Sequence, residues 1–240
     1  MLADRIPHHS QLGRLLRWPL RFVPTEQPRR ILAGAAAGLS WYPGAGPHGV
    51  WLGLYERVVL RAFAREIRAR TVVWDVGAHG GLYALLAASR GAAVVAFEPL
   101  AENLAWLARN LEVNGLAHRV RIEACALGAH SGSSGFEHDV TRMMGHLSTT
   151  HATAVPIHKA DDMSLPIPEI IKIDVEGAEL DVLAGARASI AAGRPPIFLE
   201  THAPVSLADC LALLPGYSAR QLDHDRFLCR HAGPRPAARL

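Results

Sequence analysis

An apolar run, Thr71-Val72-Val73-Trp74, passes directly into Asp75-Val76-Gly77-Ala78-His79-Gly80-Gly81, and Leu82-Tyr83-Ala84-Leu85-Leu86-Ala87-Ala88 follows. No other stretch constrains the fold as much. A buried strand, a glycine turn and an apolar helix open a nucleotide-type cofactor site in an α/β sheet. The helix must fold back over the sheet that supplied the strand, which leaves few architectures to choose from.

The turn also argues about its ligand. A dinucleotide fingerprint reads G-x-G-x-x-G and seats a pyrophosphate on the helix N-terminus. Aligned on Gly77 with Gly80 or Gly81, this turn lacks the pattern, and Asp75 stands where the first glycine belongs. A carboxylate there repels a diphosphate and suits a ligand with an ammonium group and no phosphate. S-adenosylmethionine has that chemistry. Asp75, Gly77, Ala78 and Gly81, with His79 between them, are expected around its methionine end, Gly77 and Gly81 letting the backbone approach the ligand closely. A second apolar run, Ala92 to Phe97, ends in Glu98, 21 residues after Gly77. An acidic residue about 20 residues past the turn is the expected acceptor for ribose hydroxyls. Cys125-Ala126, at the end of the third strand, is expected to border the adenine.

Apolar periodicity places the remaining elements. A helix is expected over 54–69, with Leu54, Val58, Phe63 and Ile67 on one side. Strand 71–75 leads to helix 81–89, strand 93–97 to helix 101–113, and Asn114-Gly115 closes the latter as a left-handed cap would. Strand 119–124 follows, then a Gly-, Ser-, Thr- and His-rich stretch over 128–154 that reads as a long loop or a weak hairpin. Strand 169–174, helix 177–191, strand 196–201, helix 205–214 and a hairpin of strands 217–222 and 226–230 complete the pattern. Such alternation implies a doubly wound, mostly parallel α/β sheet with a C-terminal antiparallel hairpin. Residues 1–55, rich in Pro and Gly, read as an N-terminal extension or lid, 56–231 as the main domain, and 232–240 as a flexible tail.

Composition excludes several functions. The 240 residues carry a net charge of +3, and half are apolar. The bases are nearly all arginine, Lys159 and Lys172 being the only lysines, and no basic run interleaved with aromatics marks a nucleic-acid face. Cys125, Cys210 and Cys229 are widely spaced and odd in number, which suggests a reducing, cytoplasmic setting and no metal spacing. No apolar run is long enough to span a bilayer. Residues 11–23 carry Leu12, Leu15, Leu16 and Leu20 beside Arg14, Arg17 and Arg21. They read as a basic amphipathic helix that packs on the core or makes peripheral contact with a membrane.

A second constellation is the run Lys172-Ile173-Asp174-Val175-Glu176-Gly177-Ala178-Glu179. Asp174 and Glu176 share a side if the strand persists that far, and Glu200 and His202 stand in the same relation one strand later. In a doubly wound sheet the ligand sits outside the carboxyl ends of the strands, and the strands ending at 75, 174 and 201 are normally neighbours. Asp75, Asp174, Glu176, Glu200 and His202 are thus expected to meet in one cleft. Methyl transfer to an alcohol requires loss of the hydroxyl proton. His202 is the natural base at neutral pH, with Asp174 and Glu176 as alternatives. A second reading has Asp174, Glu176 and His202 bind a divalent cation that acidifies the acceptor. A structural reading has Glu176 and Glu179 favour a helix dipole while Lys172 pairs with one of them. His48, His138, His146 and His151 read as surface histidines.

With both constellations in view, the chain resembles the FkbM family of S-adenosylmethionine-dependent methyltransferases. The resemblance is carried by Asp75–Gly81, by Phe97-Glu98-Pro99 with Asn103 downstream, by Asp161-Asp162, by Ile171–Glu179, and by Glu200 and His202. It covers about residues 48–202. Gly46–Gly49 with Trp51–Glu56 is similar to a segment of some members that would bring Tyr55 and Glu56 over the acceptor. His79 and Gly80 depart from the family's usual asparagine and bulkier residue. The resemblance implies a class I fold, O-methylation of a hydroxyl on a sugar, glycolipid or polyketide-like small molecule, and cofactor contacts that include Asn103 and Ala126. Lys172 and Glu200 would then border the acceptor. A non-catalytic adenosine-binding regulator and an NAD-dependent oxidoreductase are the rival classes.

Overall fold

A computed structural model describes residue 20 and residues 22–138, 145–148 and 153–235. The amphipathic stretch expected over 11–23 lies almost wholly outside these residues, as do His151 and the last five residues of the tail. Two short strands come first, β1 (Arg29–Arg30) and β2 (Ser40–Trp41), then α1 (Gly49–Leu52) and α2 (Arg57–Glu66). β3 (Val72–Val76), α3 (Leu82–Ser89), β4 (Ala93–Phe97), α4 (Ala101–Val113) and β5 (Val120–Glu123) form the first half of the sheet. After β6 (Ala126–Leu127), β7 (Gly132–His138), β8 (Gly145–Ser148) and β9 (Thr153–His158) come β10 (Ile170–Ile173), α5 (Glu179–Gly185), α6 (Arg187–Gly193) and β11 (Ile197–Glu200). α7 (Leu207–Ala212) precedes the hairpin of β12 (Tyr217–Asp223) and β13 (Arg226–His231).

The main sheet runs β12-β13-β11-β10-β3-β4-β5. β11, β10, β3, β4 and β5 are parallel, and the hairpin joins β11 antiparallel through β13. Side-chain alternation builds a core on each face. Val73, Ala96, Ile170, Phe198 and Leu228 meet α2, α3 and α4 on one side. Trp74, Phe97, Ile171, Ile173, Leu199 and Cys229 meet α5, α6 and α7 on the other. α3 is buried on every side from Leu82 to Ala88, because residues 31–60 cover the flank that would otherwise face water. Each large apolar side chain so enclosed stabilises the fold by about 1.5–3 kcal/mol.

The structure corrects four expectations. The helix expected over 54–69 begins at Arg57, because Glu56 adopts a left-handed backbone, φ 43°. Its buried stripe is Val59, Leu60, Phe63 and Ala64, with Ile67 just beyond its end, whereas Leu54 and Val58 are exposed. The single helix expected over 177–191 is two, broken at Ala186, and Asp161 accepts hydrogen bonds from the backbone N–H groups of Ala188 and Ser189 in the first turn of the second. Of the stretch over 128–154, β7 and β8 pair antiparallel, as a hairpin would, but they are part of a larger second sheet, β6-β9-β7-β8. Residues 29–55 are not merely irregular: Asn114 and Asn110 of α4 receive the backbone N–H groups of Ser40 and Tyr42, tying this segment to the domain. Gly115 has φ 67°, as a left-handed cap requires. Cys125, Cys210 and Cys229 are free and buried. Among the described residues no helix is long and apolar enough to cross a membrane.

Candidate active site

Strand periodicity puts Asp75, Lys172, Glu200 and Arg226 on the sheet face that also carries Val73, Ile170, Phe198 and Leu228. Register then pairs them: Lys172 lies opposite Asp75, and Glu200 opposite Arg226. Lys172 Nζ donates to the Gly77 carbonyl at 2.6 Å and lies 3.5 Å from Asp75 and 3.4 Å from Asp174. It therefore pairs with these two carboxylates, rather than with Glu176 or Glu179 as the structural reading had it. Burial alone would lower the Lys172 pKa; Asp174 and Asp75 outweigh it and raise the pKa. Arg226 holds Glu200 through both carboxylate oxygens, at 2.8 and 2.7 Å, and reaches Glu56 at 3.3 Å. The Tyr83 hydroxyl donates to Glu56. Glu56, Tyr83, Lys172, Glu200 and Arg226 line one cleft together with Asp174 and Phe198.

The loop after β10 adds the acidic cluster. Glu176, φ 52°, and Gly177, φ 100°, turn the chain back so that α5 begins beneath His202. Glu179, at the start of α5, is wholly buried; its Oε1 accepts the Gly177 N–H at 3.0 Å and meets His202 Nδ1 at 2.8 Å. His202 Nε2 is left facing Glu176 at 3.4 Å, Glu200 at 3.7 Å and Asp174 at 3.8 Å. Four carboxylates thus surround one imidazole. Burial would lower its pKa, but the hydrogen bond to Glu179 and the charges of Glu176 and Asp174 push it up to about 9. This shift favours the protonated imidazole, which works against the role of base expected of His202. Burial and Asp174 raise Glu200 to about 7 against the pull of Arg226. Burial, with Asp174 and Glu179, raises Glu176 as well.

The glycine turn is built differently. A Cβ on Gly77 would lie 1.9 Å from the Asp174 carbonyl oxygen, and one on Gly81 2.2 Å from Leu107. These glycines are required by close approach of protein to protein, not only by any approach to a ligand. Gly80 is equally confined, 2.4 Å from the Ala45 carbonyl oxygen, so the N-terminal segment sits on the turn. Asn110 of α4 donates to the Gly80 carbonyl at 2.9 Å. The N–H groups of Gly77 and Ala78 donate to the Phe97 carbonyl. Asp75 has no exposed surface and accepts the Ala84 N–H at 2.8 Å, which anchors α3; burial raises its pKa. Glu98 accepts from the backbone of His79 and Leu100 and from the Asn103 amide, at 2.8, 2.9 and 3.2 Å. Burial raises its pKa against these hydrogen bonds. Burial lowers that of His79.

The expected site residues therefore fall in two adjoining places: Asp75–Gly81, Glu98 and Asn103 at the ends of β3 and β4, and Asp174, Glu176, Glu200 and His202 at the ends of β10 and β11. Glu56 and Lys172 bridge them. Tyr55 is half-buried beside Glu56, and burial with the neighbouring Glu56 charge raises its pKa. Ala126 lies farther along, half-buried at the start of β6 and paired with Ile157 of β9. His48 accepts a hydrogen bond from the Trp51 indole. Side chains of His138 and His146 lie outside what is described. Sequence reasoning missed Arg226 and Tyr83. An arginine beginning a strand that pairs with the strand ending in Glu200 was the one available signal, and it needs the register to be read.

Comparison with known proteins now decides the family. The methyltransferase FkbM domain matches residues 75–226. The chain belongs to the FkbM methyltransferase family. It is 30% identical to the hexuronic acid methyltransferase AglP of Haloferax volcanii over 166 residues, 66% of this chain and 67% of that one. The methyltransferase FkbM from Methylobacillus flagellatus KT superimposes with a TM-score of 0.50 at 21% identity over 78% of this chain. The chain spans 56% of that solved relative's length. The Escherichia coli protein yhhF gives a TM-score of 0.52 at 15% identity, covering 86% of this chain and all of that one. These two likenesses concern the fold, which is that of class I methyltransferases. The FkbM match begins at Asp75 and ends at Arg226, so it encloses both ends of the paired row in the cleft.

Proposed function

We propose that this FkbM family protein transfers a methyl group from S-adenosylmethionine to a hydroxyl of a sugar or other small-molecule glycan. The observation that carries this reading is the acidic cluster standing beside a glycine turn that lacks the dinucleotide pattern, at the carboxyl ends of adjacent parallel strands. The donor chemistry fits the cofactor. Glu98 has three N–H donors and room for one more, such as a ribose hydroxyl. Among the described residues, Lys172 and Arg226 of the cleft are each paired with carboxylates, which disfavours a diphosphate there. The similarity to a hexuronic acid methyltransferase supports a sugar acceptor.

When bound, the cofactor supplies an electrophilic methyl group. The chain's own residues would do the rest. The acceptor oxygen attacks in line as its proton passes to a carboxylate. We assign that proton to Glu176: it is partly exposed, burial with Asp174 and Glu179 raises its pKa, and it faces His202 Nε2. A positioned base is worth roughly 10²–10⁴-fold, and alignment of donor and acceptor up to about 7–11 kcal/mol. His202, held by Glu179, orients the carboxylates. Tyr55 and Glu56 close the cleft from the N-terminal side.

Calorimetry with S-adenosylhomocysteine and with NAD tests the cofactor. Binding of NAD without binding of S-adenosylhomocysteine would overturn the reading. The Glu98→Ala variant should weaken S-adenosylhomocysteine binding by about tenfold or more, since a hydrogen bond to a charged group is worth about 1.5–3 kcal/mol. Unchanged affinity would remove Glu98 from the ribose. Transfer of a labelled methyl group into a host extract, followed by mass spectrometry, identifies the acceptor.

A further inference from the structure

We propose that Asp174, Glu200 and His202 form a binding site for one divalent cation of the oxygen-preferring class, Mn²⁺ or Mg²⁺, at the carboxyl ends of β10 and β11. One ligand atom from each lies within 4.8 Å of the other two. His202 Nε2 is 3.7 Å from Glu200 Oε1 and 3.8 Å from Asp174 Oδ1, too far for hydrogen bonds. Atoms bonded to one octahedral ion at ~2.1 Å stand roughly 3 Å apart when adjacent and ~4 Å when opposite, so the three need move little to share an ion. Two carboxylates with one imidazole suit Mn²⁺ or Mg²⁺ better than a thiolate-seeking metal. Glu200 Oε1 keeps a lone pair beyond its contact with Arg226.

The group beneath the three ligands supports the same site. Glu179 has no exposed surface and grips His202 Nδ1 at 2.8 Å. A metal-bound histidine almost always gives its other ring nitrogen to a carboxylate or carbonyl, which fixes the ring and turns the free nitrogen toward the ion. The other Glu179 oxygen, Oε2, is buried without a hydrogen-bond partner among the described residues. Charge points the same way. Glu56, Asp75, Asp174, Glu176, Glu179 and Glu200 face only Lys172, Arg226 and His202. Ligation through Nε2 releases the His202 proton, so a dication adds one net positive charge to a half-buried cleft in which like charges repel strongly. The role of the ion, holding and acidifying the acceptor hydroxyl, rests on the proposed methylation; the site itself does not.

The test uses the whole chain, stripped with EDTA and titrated with MnCl₂ without cofactor or acceptor. Calorimetry and the electron paramagnetic resonance signal of free Mn²⁺ should both report one ion bound per chain, and the ion should raise the Tm. Asp174→Asn and Glu200→Gln should each weaken binding at least ~10-fold, and Glu179→Gln by roughly 10–100-fold although it touches no ion. Circular dichroism verifies that each variant is folded. Wild-type protein that binds no Mn²⁺, or folded variants that bind it as well as wild type, overturns the site. Methyl transfer that persists undiminished in EDTA removes the ion from the reaction and leaves the proposed function standing.

Discussion

The turn at the ends of β3 and β4 and the cluster at the ends of β10 and β11 lie side by side, yet they are held in opposite ways. Around the turn, Gly77 and Ala78 share the Phe97 carbonyl, Glu98 accepts three N–H groups, and Asp75 anchors α3. Protein atoms fill the space where a Cβ on Gly77, Gly80 or Gly81 would go. In the cluster, His202 Nε2 meets three carboxylates at 3.4–3.8 Å, and both Glu176 and Glu200 have raised pKa values. In the first region most polar groups are satisfied by the protein itself; the second carries charge that the protein leaves unbalanced. Raised carboxylate pKa values mark groups whose charged form is costly in the fold, and such groups collect at functional sites.

This contrast predicts that substitutions in the cluster cost activity, and substitutions around the turn cost stability. The largest effect is expected at Glu176. Glu176→Gln should lower kcat roughly 10²–10⁴-fold with a Tm equal to or above that of wild type, measured by labelled-methyl transfer and thermal melting. A Tm that falls along with kcat would make Glu176 structural. Gly77→Ala comes next. At φ 77°, with the Asp174 carbonyl in the way, it should lose about 3 kcal/mol or more and lower the Tm by about 6–12 °C. A stable Gly77→Ala protein would break the comparison at the turn. Asn110→Ala, in the buried link between the N-terminal segment and the turn, is the smallest. It leaves the Gly80 carbonyl and the Tyr42 N–H without this partner and should cost about 1–3 kcal/mol by urea unfolding. Faster proteolysis of residues 22–55 in this variant would sharpen the result, because Asn110 shares with Asn114 the task of fastening them there.

Much of this was legible in the residues alone. The strand, turn and helix around Asp75 and the spacing to Glu98 fall where the sequence placed them; Asp174, Glu176, Glu200 and His202 do meet, but through loops, since β10 ends at Ile173 and Glu176 has a left-handed backbone instead of continuing the strand. The second sheet was not legible. Gly132–His138 is rich in small and polar residues, and its strands are defined by backbone pairing with Thr153–His158, which leaves little imprint on side-chain pattern. The break at Ala186 escaped because Asp161, which caps the next helix, is 27 residues away.

Sequence by itself determined the elements, the face on which each side chain lies, and the acid-rich ends of two strands, because helix and strand periods are local properties of the chain. Only the tertiary structure decided that Arg226 would clasp Glu200, that Lys172 would choose Asp75 and Asp174, and that Glu179 would grip His202 and favour its protonated form. Those contacts depend on register and on helix placement, which are set by burial of whole faces against one another. A shift of one residue in a single strand would leave every local pattern intact and dissolve the site.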